Sequence, residues 1–190
     1  MKFNPDNHHR HSIRLPDYDY TQNGAYFITL CVHQRQCLFG DIDDGGEVQL
    51  NEYGTVVQKE WLRTETIRPE VELGEFVVMP NHFHAIVIIR DVGAHGRAPL
   101  QNAPSDNSSS LKRQPRSLGS LVAGFKSITT KRINILRSTA SAPVWQRNYY
   151  EHVIRNARDF SAICAYILNN PARWTFDREN PAAVRSNHGD

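Results

Sequence analysis

Cysteine is scarce in this sequence: three occur in 190 residues, Cys31, Cys37 and Cys164, and no two form a Cys-x-x-Cys pair. So sparse and odd a set argues against a disulfide framework and against a four-ligand zinc site, and it suits a reducing, cytoplasmic compartment. Long apolar runs are missing too. The longest, such as Ala85 to Ile89, fall far short of the ~20 residues that cross a bilayer. The opening MKFNPDNHHRHS has no apolar stretch of the kind a secretory signal carries. Export and membrane insertion are therefore not expected. An excess of one charge is also absent, since 22 Lys and Arg face 20 Asp and Glu for a net charge of +2. That sum alone speaks against a protein that coats nucleic acid through bulk basicity. What is present is ordinary for a globular chain: 39% hydrophobic and 22% charged residues, in a length suited to one domain with a sizeable core.

The near-neutral sum conceals a segregation. Residues 15–75 hold twelve acids and four bases, a net −8, whereas residues 111–158 hold ten bases and one acid, a net +9. A block so one-sided is the footprint of a phosphate-backbone contact. Trp145, Tyr149 and Tyr150 interleave with it, and aromatics beside arginines suit stacking of unpaired bases. A basic surface facing an acidic protein partner accounts for the same block.

Punctuation and periodicity predict the organisation. Residues 1–22 read as a polar arm, 23–175 as one domain and 176–190 as a tail. Within the domain, 92–116 is rich in Gly, Pro, Ser and Asn and reads as a flexible loop. Strands are expected at Ala25–Val32, Val71–Met79 and His82–Arg90, the last two joined by the Pro80-Asn81 turn as a hairpin in the centre of a sheet. Val48, Leu50, Tyr53, Val56, Val57, Trp61 and Leu62 recur at helical spacing, after a turn-rich 40–46. A second helix is expected over Ser117–Leu136. A third runs from an Asn156 N-cap to Asn170, where Pro171 stops it. Pro143 to Ile154 reads as extended. This order predicts an α+β sandwich, a central antiparallel sheet with helices on one face.

Two constellations carry chemistry. In His82-Phe83-His84 a strand sends both imidazoles to one face, where they can hold a divalent metal with further ligands or serve as hydrogen-bonded structural groups. The spacing is not specific by itself, because His9-Arg10-His11 repeats it in the polar arm. Tyr166 and Asn170, four apart on a helix, share a face. A phenol, with a pKa of about 10, is a poor nucleophile unless its electrophile is polarised. The same pair also reads as a core residue and a helix-end cap.

Taken together, VVMPNHFHAIVI, WQRNYYEHVIRN and YILNNP, in that order, resemble the signature of single-tyrosine HUH transposases. The opening RHSIRLPDYDYTQNGAYFITLCVHQR with CLFGDI is similar to the branch of REP-associated tyrosine transposases. The likeness runs from about residue 10 to 175. It implies a ferredoxin-like (RRM-like) sandwich and a metal-dependent DNA strand transferase. His82, His84 and Asn170 would be ligands to Mg²⁺ or Mn²⁺, Tyr166 the nucleophile that leaves a 5′-phosphotyrosine, and His152 a further active-site residue. Tyr149 and Tyr150 are rival nucleophiles by residue type. The implied partner is single-stranded or hairpin DNA, met by Arg14, Lys112, Arg113, Arg116, Lys126, Lys131, Arg132, Arg147, Tyr149 and Arg155, with no small-molecule cofactor and a monomer or homodimer. A non-catalytic hairpin-binding regulatory module on the same fold is the alternative.

Overall fold

The computed structural model describes residues 23–90, 116–177 and 179–183. The arm 1–22, residues 92–115 of the expected loop, and with them Arg14, Lys112 and Arg113, lie outside the described residues. In chain order the elements are β1 (Gly24–Cys31), β2 (Gly40–Ile42), β3 (Val48–Leu50), α1 (Glu52–Leu62), α2 (Thr64–Ile67), β4 (Val71–Val78), β5 (His82–Ile89), α3 (Leu118–Leu136), β6 (Tyr150–Ile154) and α4 (Ala157–Asn169).

β1, β4, β5 and β6 form one antiparallel sheet in the order β4-β5-β1-β6, and β2 with β3 forms a separate hairpin. With β1-α1-β4-β5-α3-β6 as the main chain of elements, this is the strand order of the ferredoxin-like sandwich. β1 and β5 lie at the centre and pair along their whole length, from Gly24 opposite Ile89 to Cys31 opposite His82. Their β-branched and aromatic content suits strands covered on both faces. The β4–β5 hairpin forms as the Pro80-Asn81 turn predicted, but β4 is an edge strand and only β5 is central.

Alternation along the central strands separates two cores. Tyr26, Ile28 and Leu30 of β1, with Phe83, Ala85 and Val87 of β5, face α1 and α3. There Trp61, Phe83 and Phe125 meet with ring centroids 4.9, 5.1 and 5.4 Å apart. Phe27 and Ile86 point the other way and join Ile154 and Ile167 in a smaller cluster under α4. The expectation of helices on one face thus holds for α1 and α3, while α4 adds cover to the opposite face. This second, thinner layer is where the candidate site lies.

The helix starts follow from their caps. Oδ1 of Asn51 accepts from Tyr53 N and Gly54 N at 2.9 and 3.0 Å, a cap worth about 1 kcal/mol. It also explains a correction. Val48 and Leu50 form β3 rather than the first turn of a helix, because the chain must be extended up to Asn51 for that side chain to cap α1. Gly54 is required by a close approach: a Cβ there would lie 2.2 Å from the carbonyl oxygen of Phe39. Asn156 caps α4 through Asp159 N at 2.9 Å, as its sequence position predicted. Within the expected extended stretch 143–154, only Tyr150–Ile154 pairs as a strand.

Candidate active site

His82 and His84 stand on the same face of β5, with ring centroids 4.5 Å apart. Both are buried, at 0% and 3% exposure, which is unusual for paired imidazoles. Burial disfavours a charged ring, and it holds both pKa values down. For His84 the second cause is the neighbouring His82, and its value lies well below the ordinary one. Carboxylates at Asp177 and Glu179 and the Asn170 amide oppose the shift at His82. Both rings are therefore neutral near pH 7, the form that ligates metals.

The hydrogen bonds fix which nitrogen of His82 is bare. Nδ2 of Asn81 donates to the backbone oxygens of Arg35 and Glu179 at 3.1 and 2.6 Å. Both partners are acceptors only, so the amide orientation is set, and Oδ1 accepts from Nδ1 of His82 at 2.9 Å. Nε2 of His82 then carries a lone pair, is buried, and makes no hydrogen bond. Oδ1 of Asn170 is likewise buried and makes none, although its side chain lies near enough to His82 to favour the charged ring. These two buried acceptors are of the kind that could hold a cation. Mg²⁺ or Mn²⁺ thus fits the residues present. Among the described residues no group of three or more His, Cys, Asp or Glu comes together as a metal cluster, so the ligands here are two imidazoles and an amide.

Across the sheet, Thr29 stands opposite His84, and its Oγ1 lies 2.8 Å from Nδ1 of His84. On the other side of that ring, Nε2 is 3.3 Å from the hydroxyl of Tyr166, brought down by α4. Phe27 is the floor beneath them: its ring stacks on His84 at 5.4 Å and meets Tyr166 edge-on at 5.9 Å. Tyr166 is 45% exposed. Trp174, in the 3₁₀ turn Pro171–Phe176 that follows α4, lies 6.0 Å from His82.

His82, His84, Tyr166 and Asn170 are therefore together, drawn from β5, α4 and the end of α4. His152 lies opposite Phe27 on β6, on this same face. Its Nε2 is 2.9 Å from Oδ2 of Asp159 in the first turn of α4, and that hydrogen bond is the first cause of the lowered Asp159 pKa. In the structure His152 links β6 to the start of α4.

The expected DNA contacts divide. Arg132 lies 3.1 Å from buried Glu60, on the α1–α3 side. Lys126 donates to Gln146 O and Asn148 O, both at 2.9 Å, and spans Tyr149 at 5.6 Å. Tyr149 packs against the α1–α3 core, whereas Tyr150 is 49% exposed and meets Phe27 edge-on on the Tyr166 side. Lys131, Arg147, Arg116 and Arg155 are exposed. The residues that sequence reasoning missed are Asn81, Thr29, Phe27 and Trp174. Asn81 stood inside the quoted motif, and Thr29 follows from strand register; nothing in the sequence pointed to Trp174.

With this geometry in place, the fold is that of the REP-associated tyrosine transposases. A solved structure of the REP-associated tyrosine transposase bound to a REP hairpin aligns with a TM-score of 0.52 at 19% identity, covering 84% of this chain and 74% of the other. No protein-family model matches the chain. An uncharacterized protein of Haemophilus influenzae is 40% identical over 178 residues, which cover 93% of this chain and 96% of that one. The chain belongs to the family of that Haemophilus influenzae protein.

Proposed function

We propose that this protein is a single-tyrosine DNA transposase that cuts and rejoins single-stranded, hairpin-bearing DNA of the REP type. The observation that carries the reading is the Tyr166 hydroxyl, 3.3 Å from His84 and beside the unpartnered acceptors of His82 and Asn170.

His82 through Nε2, His84 through Nε2 and Asn170 through Oδ1 would hold Mg²⁺ or Mn²⁺, which when bound polarises a phosphodiester and offsets the charge that develops on it. Asn81 and Thr29 orient the two imidazoles by taking their other nitrogens. Tyr166 attacks phosphorus: the O–P bond to the tyrosine forms, the bond to the 3′ oxygen breaks, and that oxygen leaves as a hydroxyl after taking a proton from water. The phenol's own proton goes to solvent, which reaches the half-exposed ring. A 3′-hydroxyl attacking the phosphotyrosine runs the same exchange backwards, so ends are rejoined without an external energy source.

The experiment is to mix the protein with an end-labelled hairpin oligonucleotide carrying single-stranded flanks. The expected result is a protein–DNA adduct that survives denaturing electrophoresis, needs Mg²⁺ or Mn²⁺, and is lost in Tyr166→Phe. Tight, salt-sensitive binding without an adduct under any metal condition would instead mark a non-catalytic hairpin-binding module.

A further inference from the structure

On the opposite side of the sheet from Tyr166, a groove of about 930 Å³ runs between α3 and residues 138–149. Its floor is apolar, with Val122 and Trp145 belonging to the main core. Its rim is not. Lys126, Lys131 and Arg147 line it together with five serine and threonine hydroxyls, and it contains no carboxylate. Among the described lining residues every charged side chain is therefore a cation, in a stretch of sequence, 111–158, that carries a single acid. Lys131 and Arg147 are exposed, and neither forms an ion pair with a described residue.

Lys126 differs from them. Its two bonds to Gln146 O and Asn148 O tie the 146–149 wall to α3, leaving one N–H of the ammonium. Burial pushes its pKa down to about 8, and an anion in the groove would supply the counter-charge that this ammonium lacks. The wall itself is pinned to β1, since Gln146 N donates to Cys31 O at 2.8 Å and Trp145 bridges to Val32. It then passes without interruption into β6, whose first residue, Tyr150, lies on the Tyr166 face.

We propose that this groove binds a single-stranded stretch of polynucleotide, with Lys131 and Arg147 on its phosphates, and that it forms a second nucleic-acid site apart from the His82–His84–Tyr166 face. The volume falls within the range of about 300–1,000 Å³ typical of pockets for small ligands. It admits a few unpaired nucleotides. Charge complementarity selects a polyanion, and the serine and threonine hydroxyls beside the cations suit phosphate oxygens. The chain of residues 147–150 gives such a strand a path from the groove toward Tyr166. The proposal rests on the nucleic-acid reading of the protein and not on strand cleavage.

The test uses the full chain with a fluorescein-labelled oligothymidine, read by anisotropy over a salt series, and with 5-iodouracil placed singly along it for photocrosslinking. The groove predicts a crosslinked peptide within 143–149. It also predicts at least a tenfold loss of affinity in Lys131→Glu/Arg147→Glu, with the slope of log affinity against log salt smaller by about 1.4 for two lost phosphate contacts. Unchanged affinity in that variant, or crosslinks confined to Tyr150 and residues 166–176, would overturn it. Displacement by polyglutamate as effective as by unlabelled oligothymidine would overturn it in favour of an acidic protein partner. Should the variant misfold, the crosslink map on the unaltered protein still decides. Adducts at Tyr166 with no groove crosslink sink the groove alone; groove crosslinks with no adduct sink the cleavage reading alone.

Discussion

The hydroxyl of Tyr166 lies 3.3 Å from Nε2 of His84 across 82 residues of sequence. The contact joins α4 to a central strand, on a tyrosine that is 45% exposed as a whole. Its consequences are measurable at several places around it.

Asn81 controls the tautomer of His82 without facing the open part of the site. Replacing it with Ala removes three hydrogen bonds and lets the His82 ring turn. Mn²⁺ affinity, followed by electron paramagnetic resonance of the free ion, is expected to fall 10- to 100-fold, the usual effect of losing an outer-shell partner. The folded state should also lose about 1–3 kcal/mol for the stranded donor. Unaltered Mn²⁺ affinity with only a stability loss would reduce Asn81 to a turn residue.

Acid should destabilise this protein through its buried histidines. In the unfolded chain both titrate near 6.5, and in the folded chain both titrate lower, His84 well below. Between those values the unfolded state binds more protons, so stability falls as pH falls. It is complete above about pH 6.5 and is lost progressively below. Urea midpoints measured from pH 7 to pH 5 should decline, and His82→Gln/His84→Gln should flatten the decline. An equally steep profile in that variant would place the titration elsewhere.

Tyr149 and Tyr150 are neighbours with opposite expected behaviour. Tyr149→Ala removes packing against the main core and the cover over Lys126, so its melting temperature should drop. Tyr150→Ala sits at an exposed ring beside Phe27 and should leave the melting temperature within a degree or two. Its expected cost is in single-strand affinity, about 1–3 kcal/mol if a base stacks there. Anisotropy and thermal melts on both variants separate the roles.

Arg132 was expected among the DNA contacts, yet its guanidinium faces Glu60, which is 4% exposed. Arg132→Ala should cost about 1 kcal/mol of stability, because Arg63 still pairs with that carboxylate at 3.3 Å. Hairpin affinity should hardly change. A loss of affinity comparable to that of an exposed-arginine variant would return Arg132 to the contact surface.

The central strands, the long helices and the Asn156 cap of α4 were legible because each rests on local patterning. β1 and β5 show it best: apolar on both faces, bounded by Asn23-Gly24 and Pro80-Asn81, they fall within a residue or so of where the sequence placed them. The Val48–Leu50 strand was not legible, since two apolar residues two apart also fit a helix whose next apolar residues follow at 53, 56 and 57. Nor was the second layer, because which face α4 covers depends on the chain's path and not on its own periodicity. For the site, residue pairs on one element were readable: His82 with His84, Tyr166 with Asn170. Contacts between elements were not, which is why Thr29, Phe27 and Trp174 were missed. The basic block shows the same limit. Its charge was plain, but not that Arg132 pairs with Glu60 or that Lys126 bonds the backbone of 146 and 148, whereas Lys131 and Arg147 pair with no described carboxylate.

α4 buries one side chain fully, Ile167, while β5 is buried along nearly its whole length. The candidate site is thus built from parts of unequal local stability. Opening of β5 requires something close to global unfolding, whereas α4 can lift from the sheet at a fraction of that free energy. Amide hydrogens of α4 should exchange well before those of β5. A strand tethered to Tyr166 would ride on the looser of these two elements, while the two histidines stayed anchored in the slower-exchanging one.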